Sequence, residues 1–188
     1  MASRTRISRS CVHESAHAKA HVRKATGNGI SIRGFEPDDA RHYVDLLMIT
    51  SEKEYSGCRR CEITEIVAEL PRRHIMVAST QGCERAGFVT AVPEGPILHL
   101  LLLDVRPDQQ GKGIGSLLLR TVIREARRTG KRAVLCEVWD GNERGLGLYE
   151  RHGFEKAKFI YNYYQNGLSA WLMVRYLEEG RKGRSKGR

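Results

Sequence analysis

At 188 residues and 40% hydrophobic content, the chain suits one domain with a packed core and short end segments. No stretch approaches eighteen consecutive apolar residues, which argues against a membrane-spanning helix. The formal net charge of +10 sits mainly at the ends, with +5 in residues 1–29 and +3 in 178–188, leaving +2 for 30–177.

That asymmetry suggests three parts: a basic, disordered tail over 1–29, a folded domain over 30–177, and a second basic tail over 178–188. Such tails act as solubilising segments or as sequence-independent contacts to RNA, ribosomes or anionic membranes. Residues 1–29 lack the apolar stretch of a secretory signal, although their Arg and Ser content also suits a mitochondrial transit peptide. The five cysteines (Cys11, Cys58, Cys61, Cys83 and Cys136) are odd in number and irregularly spaced. They read as free thiols in a reducing, cytoplasmic setting.

In chain order, Thr26–Gly29 reads as a linker and Ile30–Arg33 as a short alternating strand. Pro37-Asp38-Asp39 opens a helix to about Ile49, with proline early and acids in the first turn. Ser51–Arg60 is a polar loop. Ile63, Ile66, Val67 and Leu70 have helical spacing and Pro71 stops that helix. Strands are expected at Ile75–Ser79 and Ala86–Ala91 around Gln81-Gly82. After a turn at Pro93–Pro96, Ile97–Val105 is an apolar run expected to be a strand buried on both faces. A glycine-rich stretch, Pro107–Gly115, leads into a helix over Ser116–Thr129 that Gly130 ends. Ala133–Trp139 reads as a second buried strand and Asn142–His152 as a helix stopped by Gly153. Phe154–Tyr164 and Leu168–Tyr176 read as strands joined around Asn166-Gly167. The strand–loop–helix–strand order over 97–152 implies a parallel pair with a crossover helix, flanked by antiparallel hairpins. The expected fold is a mixed sheet with helices on both faces.

The chemistry concentrates in Gln110-Gly111-Lys112-Gly113-Ile114-Gly115, between a strand and an amphipathic helix. Glycines allow backbone N–H groups to converge without Cβ obstruction. A helix start adds unpaired donors and partial positive charge, so the junction suits a phosphate. It is not a Walker loop, because the Gly-Lys-Ser/Thr ending is absent. Residues 111–132 carry a net +6, most of it on the helix face opposite the apolar stripe, so only Lys112 is placed at the loop. A second segment runs from Glu137 through Asn142 to Tyr149 and Gly153-Phe154.

Two other patterns are set aside. His13-Glu14-Ser15-Ala16-His17 matches a zinc-protease spacing but lies in a tail without apolar anchoring. Cys58-x-x-Cys61 lacks a second ligand pair. No metal is expected.

Together the loop and the downstream segment resemble the GNAT N-acetyltransferase superfamily, and the resemblance covers about residues 30–177. The subgroup most similar in appearance is the N-terminal (ribosomal-protein alanine type) acetyltransferases. The resemblance implies an acyl-CoA N-acyltransferase fold: a central mixed, mostly antiparallel α/β sheet with a splayed parallel strand pair. It implies acetyl-CoA as cosubstrate. Leu103, Asp104 and Val105 would hold the pantetheine arm by their main chain. Gln110, Gly111, Lys112, Gly113, Ile114, Gly115 and Ser116 would bind the pyrophosphate, and Asn142 would bond the coenzyme arm. Tyr149 would act as general acid toward the leaving thiolate. Glu137, twelve residues earlier, would act as base or water-holder, with His99 as the other candidate. Tyr163 and Tyr164 would wall the acceptor site. The acceptor is read as a protein or peptide α-amine, the alternatives being a small amine or a CoA-binding, RNA-associated module without turnover. Gly145 and Gly147 depart from the family pattern, which has alanines there, and each costs a helix about 1 kcal/mol relative to alanine.

Overall fold

The computed structural model describes residues 25–27, 29–50, 73–164 and 166–177. The basic tails of 1–24 and 178–188, the loop and helix expected between Ser51 and Pro71, the His13–His17 and Cys58–Cys61 patterns and Cys11 lie outside the described residues.

One eight-stranded sheet organises the domain, in the order β1-β2-β3-β4-β5-β6-β8-β7. The strands are β1 (Ala25–Gly27), β2 (Ile30–Gly34), β3 (His74–Thr80), β4 (Cys83–Glu94), β5 (Ile97–Val105), β6 (Ala133–Trp139), β7 (Glu155–Ile160) and β8 (Ala170–Tyr176). Among the described residues the α-helices are α1 (Ala40–Thr50), α2 (Ile114–Arg128) and α3 (Glu143–Arg151). All neighbouring strands are antiparallel except β5 and β6. Among the described residues no helix is long and apolar enough to cross a membrane. Several element boundaries depart from the sequence reading. Strand β4 overruns the expected Ala86–Ala91 by three residues at each end and enters the turn expected at Pro93–Pro96, because Pro93 and Glu94 still pair with Leu98 and Ile97. The sheet begins at Ala25, inside the segment read as tail and linker, because Ala25–Gly27 pairs with Ile30–Ile32. The last hairpin is shorter than expected: β7 ends at Ile160, and Asn162 takes a left-handed φ of 50° in the turn that follows. Helix α2 starts two residues before the expected Ser116, at Ile114.

The decisive feature is where β5 and β6 part. Their parallel pairing covers only Ile97–Ala133, Leu98–Val134 and His99–Leu135. Beyond it, β5 continues along β4 and β6 continues along β8 as far as Trp139–Ala170. A bulge marks the departure. Thr90 faces Leu102 while Ala91 faces Leu100, so Leu101 is one residue in excess on β5. Bulges bend the strand that carries them and raise its local twist. The expectation that Ile97–Val105 is buried on both faces therefore fails for its second half. Leu98 and Leu100 are buried, whereas Leu101 through Val105 are only half-buried.

Close approach holds the bent half of β5 against β4. A Cβ on Gly87 would lie 2.7 Å from the Asp104 carbonyl oxygen, so only glycine fits opposite that backbone.

Helix α2 packs on one sheet face through Ile114, Leu118, Val122 and Ala126, all at 0–1% exposure. Helix α1 covers the other face with Tyr43, Leu46 and Leu47 against Ile75, Val77 and Phe88. The Tyr43 hydroxyl pairs with Thr90 Oγ1 at 2.8 Å, and burial pushes its pKa up to about 12. The entry to α1 is fixed by Asp39, whose side chain is wholly buried. It accepts from Arg33 at 2.6 and 2.8 Å, from Arg85 at 2.7 Å and from the Glu36 N–H at 2.8 Å. Burial alone would raise its pKa. The Arg33 guanidinium, the Glu36 N–H and Arg85 outweigh that and hold it down at about 2.

Two outcomes follow for stability. Gly87→Ala is expected to lower unfolding free energy in urea by about 1–3 kcal/mol, the usual cost of overpacking. The Asp39 contribution is complete above the unfolded carboxylate value of about 3.9 and is lost as pH falls through the folded value of about 2. Urea midpoints should therefore drop between about pH 4 and pH 2, and Asp39→Asn should flatten that part of the profile.

Candidate active site

The diverging ends of β5 and β6 leave a gap in the sheet, and two adjoining cavities occupy it. The larger, about 630 Å³, lies between the end of β5, the glycine loop and the cleft-facing side of α3. The smaller, about 110 Å³, runs through the gap and reaches Glu137, Tyr149 and Tyr164. Leu103, Asp104, Asn142, Gly145 and Leu148 line both.

The loop is shaped by two left-handed glycines, Gly111 at φ 79° and Gly113 at φ 83°, a region that other residues enter at a cost of about 1–2 kcal/mol. Gly113 caps α2, and its carbonyl accepts from the Leu117 N–H at 3.0 Å. The N–H groups of Ile114, Gly115 and Ser116 thus belong to the first helical turn, where no intrahelical acceptor exists. These residues line the larger cavity with Gln110, Gly111 and Val105. The junction suits a diphosphate: main-chain donors and the positive end of a helix dipole meet at one wall.

Lys112 is the exception among the residues expected to bind. Its Nζ donates to the Asp108 carbonyl at 3.1 Å and to Gln109 Oε1 at 3.0 Å, and the residue does not line the cavity. The ammonium folds back onto the preceding turn, which offers two oxygens within reach of a flexible stem. Cationic charge at the cavity comes instead from Arg144 and Arg151 of α3, with Leu148 between them. That spacing places all three on one helix face, a pattern in the sequence that the motif reading passed over. Arg144 Nη1 donates to Gln110 Oε1 at 2.6 Å, and Gln110 Nε2 donates to the Val105 carbonyl at 3.1 Å. Gln110 therefore ties the end of β5 to the start of α3.

Asn142 caps α3, accepting from the Gly145 N–H at 2.8 Å through Oδ1. A Cβ on Gly145 would come within 2.7–2.9 Å of that amide group, so this glycine makes room for the cap. Helix α3 runs unbroken through Gly145 and Gly147. Tyr149 is buried, with its ring edge-to-face on Phe154 at 5.3 Å and its hydroxyl hydrogen-bonded to the Cys136 sulfur. Burial pushes the Cys136 thiol pKa up, so it stays protonated. At the cleft floor, the Ser116 hydroxyl pairs with His152 Nε2 at 3.0 Å. Burial, then Arg120, Arg175 and Arg151, hold the His152 pKa below the ordinary 6.5.

Glu137 reaches the smaller cavity from β6. Its Oε2 lies 2.8 Å from His99 Nε2 of β5, so the two residues weighed as alternative bases stand side by side. Tyr163 lies close to the same carboxylate, and burial, then Glu137, push its pKa up to about 12. The structure thus gathers Leu103, Asp104, Val105, Gln110, Gly111, Gly113, Ile114, Gly115, Ser116 and Asn142 around one cavity. It sets Glu137 and Tyr149 on the cavity that adjoins it.

A model of the acetyltransferase (GNAT) family matches residues 42–154, more than half of the chain. Over 51 residues the chain is 43% identical to an L-methionine sulfoximine/L-methionine sulfone acetyltransferase of Pseudomonas aeruginosa, covering 27% of this chain and 30% of that protein. Over 92 residues it is 32% identical to the [ribosomal protein bS18]-alanine N-acetyltransferase of Escherichia coli, covering 49% of this chain and 62% of that one. The chain therefore spans less than two thirds of the length of these curated relatives. Its fold is similar to the crystal structure of Ard1 from Thermoplasma volcanium, with a TM-score of 0.68 and 25% identity, over 79% of this chain and 98% of that one.

The geometry separates Lys112 of the loop from Arg144 of α3 in a calorimetric titration with coenzyme A. Lys112→Ala should leave Kd within about twofold, whereas Arg144→Ala should weaken it about tenfold, a difference near 1.4 kcal/mol.

Proposed function

Because the chain belongs to the GNAT acetyltransferase family, we propose that it transfers acetyl from acetyl-coenzyme A to the α-amine of a protein or peptide. The observation that carries this reading is that the two cavities adjoin, with Leu102, Leu103, Asp104, Asn142, Gly145 and Leu148 in both walls. A helix start suited to an anion stands beside a gap in the sheet that holds a carboxylate and a buried phenol.

The residues fit the cosubstrate by their chemistry. Main-chain N–H groups from Gly111 to Ser116, with Arg144 and Arg151, would hold a diphosphate. The exposed backbone of Leu103–Val105, which has no strand partner on the β6 side, would hold the amides of the arm. When bound, the thioester supplies an electrophilic carbonyl and a thiol leaving group. Polar main-chain groups at the bulge edge of β5 are placed to stabilise charge developing on the carbonyl oxygen. Glu137 takes a proton from the amine nitrogen. Tyr149 gives its proton to the departing sulfur, a phenol of pKa about 10 suiting a thiolate of about 8.5, and the proton that the nitrogen still has to lose as the amide forms restores the phenol.

An α-amine has a pKa of about 7.7–8, against about 10.4 for a lysine side chain, so its neutral form is more accessible. Tyr163, close to Glu137, and Tyr164, which lines the smaller cavity, suit the wall of a peptide site. A small amino-acid-like amine is the second reading, favoured by the match to the sulfoximine acetyltransferase.

A thiol-release assay with acetyl-CoA separates these acceptors. Peptides with a free α-amine are expected to turn over faster than N-blocked lysine peptides and small amino acids; the reverse order would favour the second reading. Tyr149→Phe and Glu137→Gln should each lower kcat by roughly 10²–10⁴-fold. Unchanged kcat across pH in either variant would remove that residue's role.

A further inference from the structure

His99 stands between two carboxylates, and the reading above uses only one of them. Its Nε2 lies 2.8 Å from Glu137 Oε2 and its Nδ1 lies 3.1 Å from Glu94 Oε1. The three residues come from three consecutive strands of the sheet: the end of β4, β5 and β6. The His99 and Glu137 side chains are each 16% exposed, whereas Glu94 is 54% exposed. The row therefore runs from the cleft to solvent. The other polar groups nearby are Tyr163, close to Glu137, and Lys131, which donates to the Gly95 carbonyl at 2.6 Å beside Glu94.

A carboxylate alone is a poor destination for the proton of an α-ammonium group. The reference values differ by roughly 3.5 pK units, and imidazole closes most of that gap. An imidazole bonded through Nδ1 to a carboxylate has a fixed tautomer, with Nε2 as its basic nitrogen.

We propose that His99 is the proton store behind Glu137, held in orientation by Glu94. The inference rests on Glu137 being the group that meets the amine. In the first step a proton leaves the amine nitrogen and an O–H bond forms on Glu137. The carboxyl turns about its Cγ–Cδ bond, and the proton passes to His99 Nε2. Glu137 is left as a carboxylate and His99 as an imidazolium donating to both carboxylates. After product leaves, the imidazolium gives this proton up to water through Glu137. His99 acts through another side chain and is a positioning residue.

The sign of the pH dependence follows. The bond to Glu137, outweighing burial and reinforced by Glu94, raises the His99 pKa above the ordinary 6.5. The store is full below that raised value and empty above it, so turnover rises with pH through it.

The test is kcat and kcat/KM against pH for the full chain, using acetyl-CoA and the best acceptor peptide, alongside an NMR titration of ¹⁵N-labelled histidine. The expected wild-type profile has a rising limb that coincides with the His99 titration. His99→Gln should remove the limb and lower kcat about 100-fold, with the KM for acetyl-CoA unchanged. Glu94→Gln, at an exposed position, should move both limb and titration to lower pH, and it carries the test should His99→Gln fail to fold. A wild-type limb in His99→Gln overturns the proposal, as does a His99 titration that ignores Glu94→Gln, even when Glu137→Gln is slow. Wild-type turnover in Glu137→Gln instead defeats the parent reading, and the proposal with it.

Discussion

Three residue pairs hold β5 to β6, and the shortness of that contact governs the molecule. A parallel pair inside a mixed sheet normally continues as long as both strands do, because each unpaired amide costs a hydrogen bond. Here the excess residue at Leu101 turns β5 away. Each strand keeps its antiparallel neighbour on the far side, so the sheet opens between the two facing edges. In the proposed function, that opening is where the amide-bearing arm of the coenzyme would lie.

The same divergence determines which side chains meet. On the paired side, His99 and Glu137 lie close enough to bond across the two strands. On the open side, α2 and α3 present their N-terminal ends to the widening space. One end of the gap is therefore rich in positive dipole and guanidinium. The other holds carboxylate and phenol. Gln110 braces the cationic end by joining Val105 to Arg144, and the packing of Tyr149 on Phe154 braces the other. The polarity of the cleft is a result of topology before it is a result of any single residue.

Much of this could be read from the residues alone. Strand β6 and helix α3 were legible because Gly130, Asn142 and Gly153 punctuate them, each in a role that few other residues fill. The glycine loop was legible because its function needs missing side chains, and these show in a sequence. The opening of β5 was not. Ile97–Val105 is uniformly apolar, and its half-exposure comes from β6 leaving, which no local pattern records. Asp39 read as a first-turn acid. Its ties to Arg33 and to Arg85, 46 residues away, depend on strand pairing. His99 and Glu137 were singled out one at a time because they are 38 residues apart, and only the parallel register brings them together. The fold-back of the Lys112 side chain onto Asp108 and Gln109 was not legible, because spacing locates a Cα and not the direction of a four-carbon stem.

The fold-back of Lys112 bears on how this loop tolerates change. A wall built from peptide N–H groups cannot be lost by substitution, only by distorting the turn that presents them. Constraint therefore falls on Gly111 and Gly113, whose dihedral angles make the turn, while the residue between them is free to drift. If the loop holds a diphosphate as proposed, exchange of that lysine would leave the wall of donors in place.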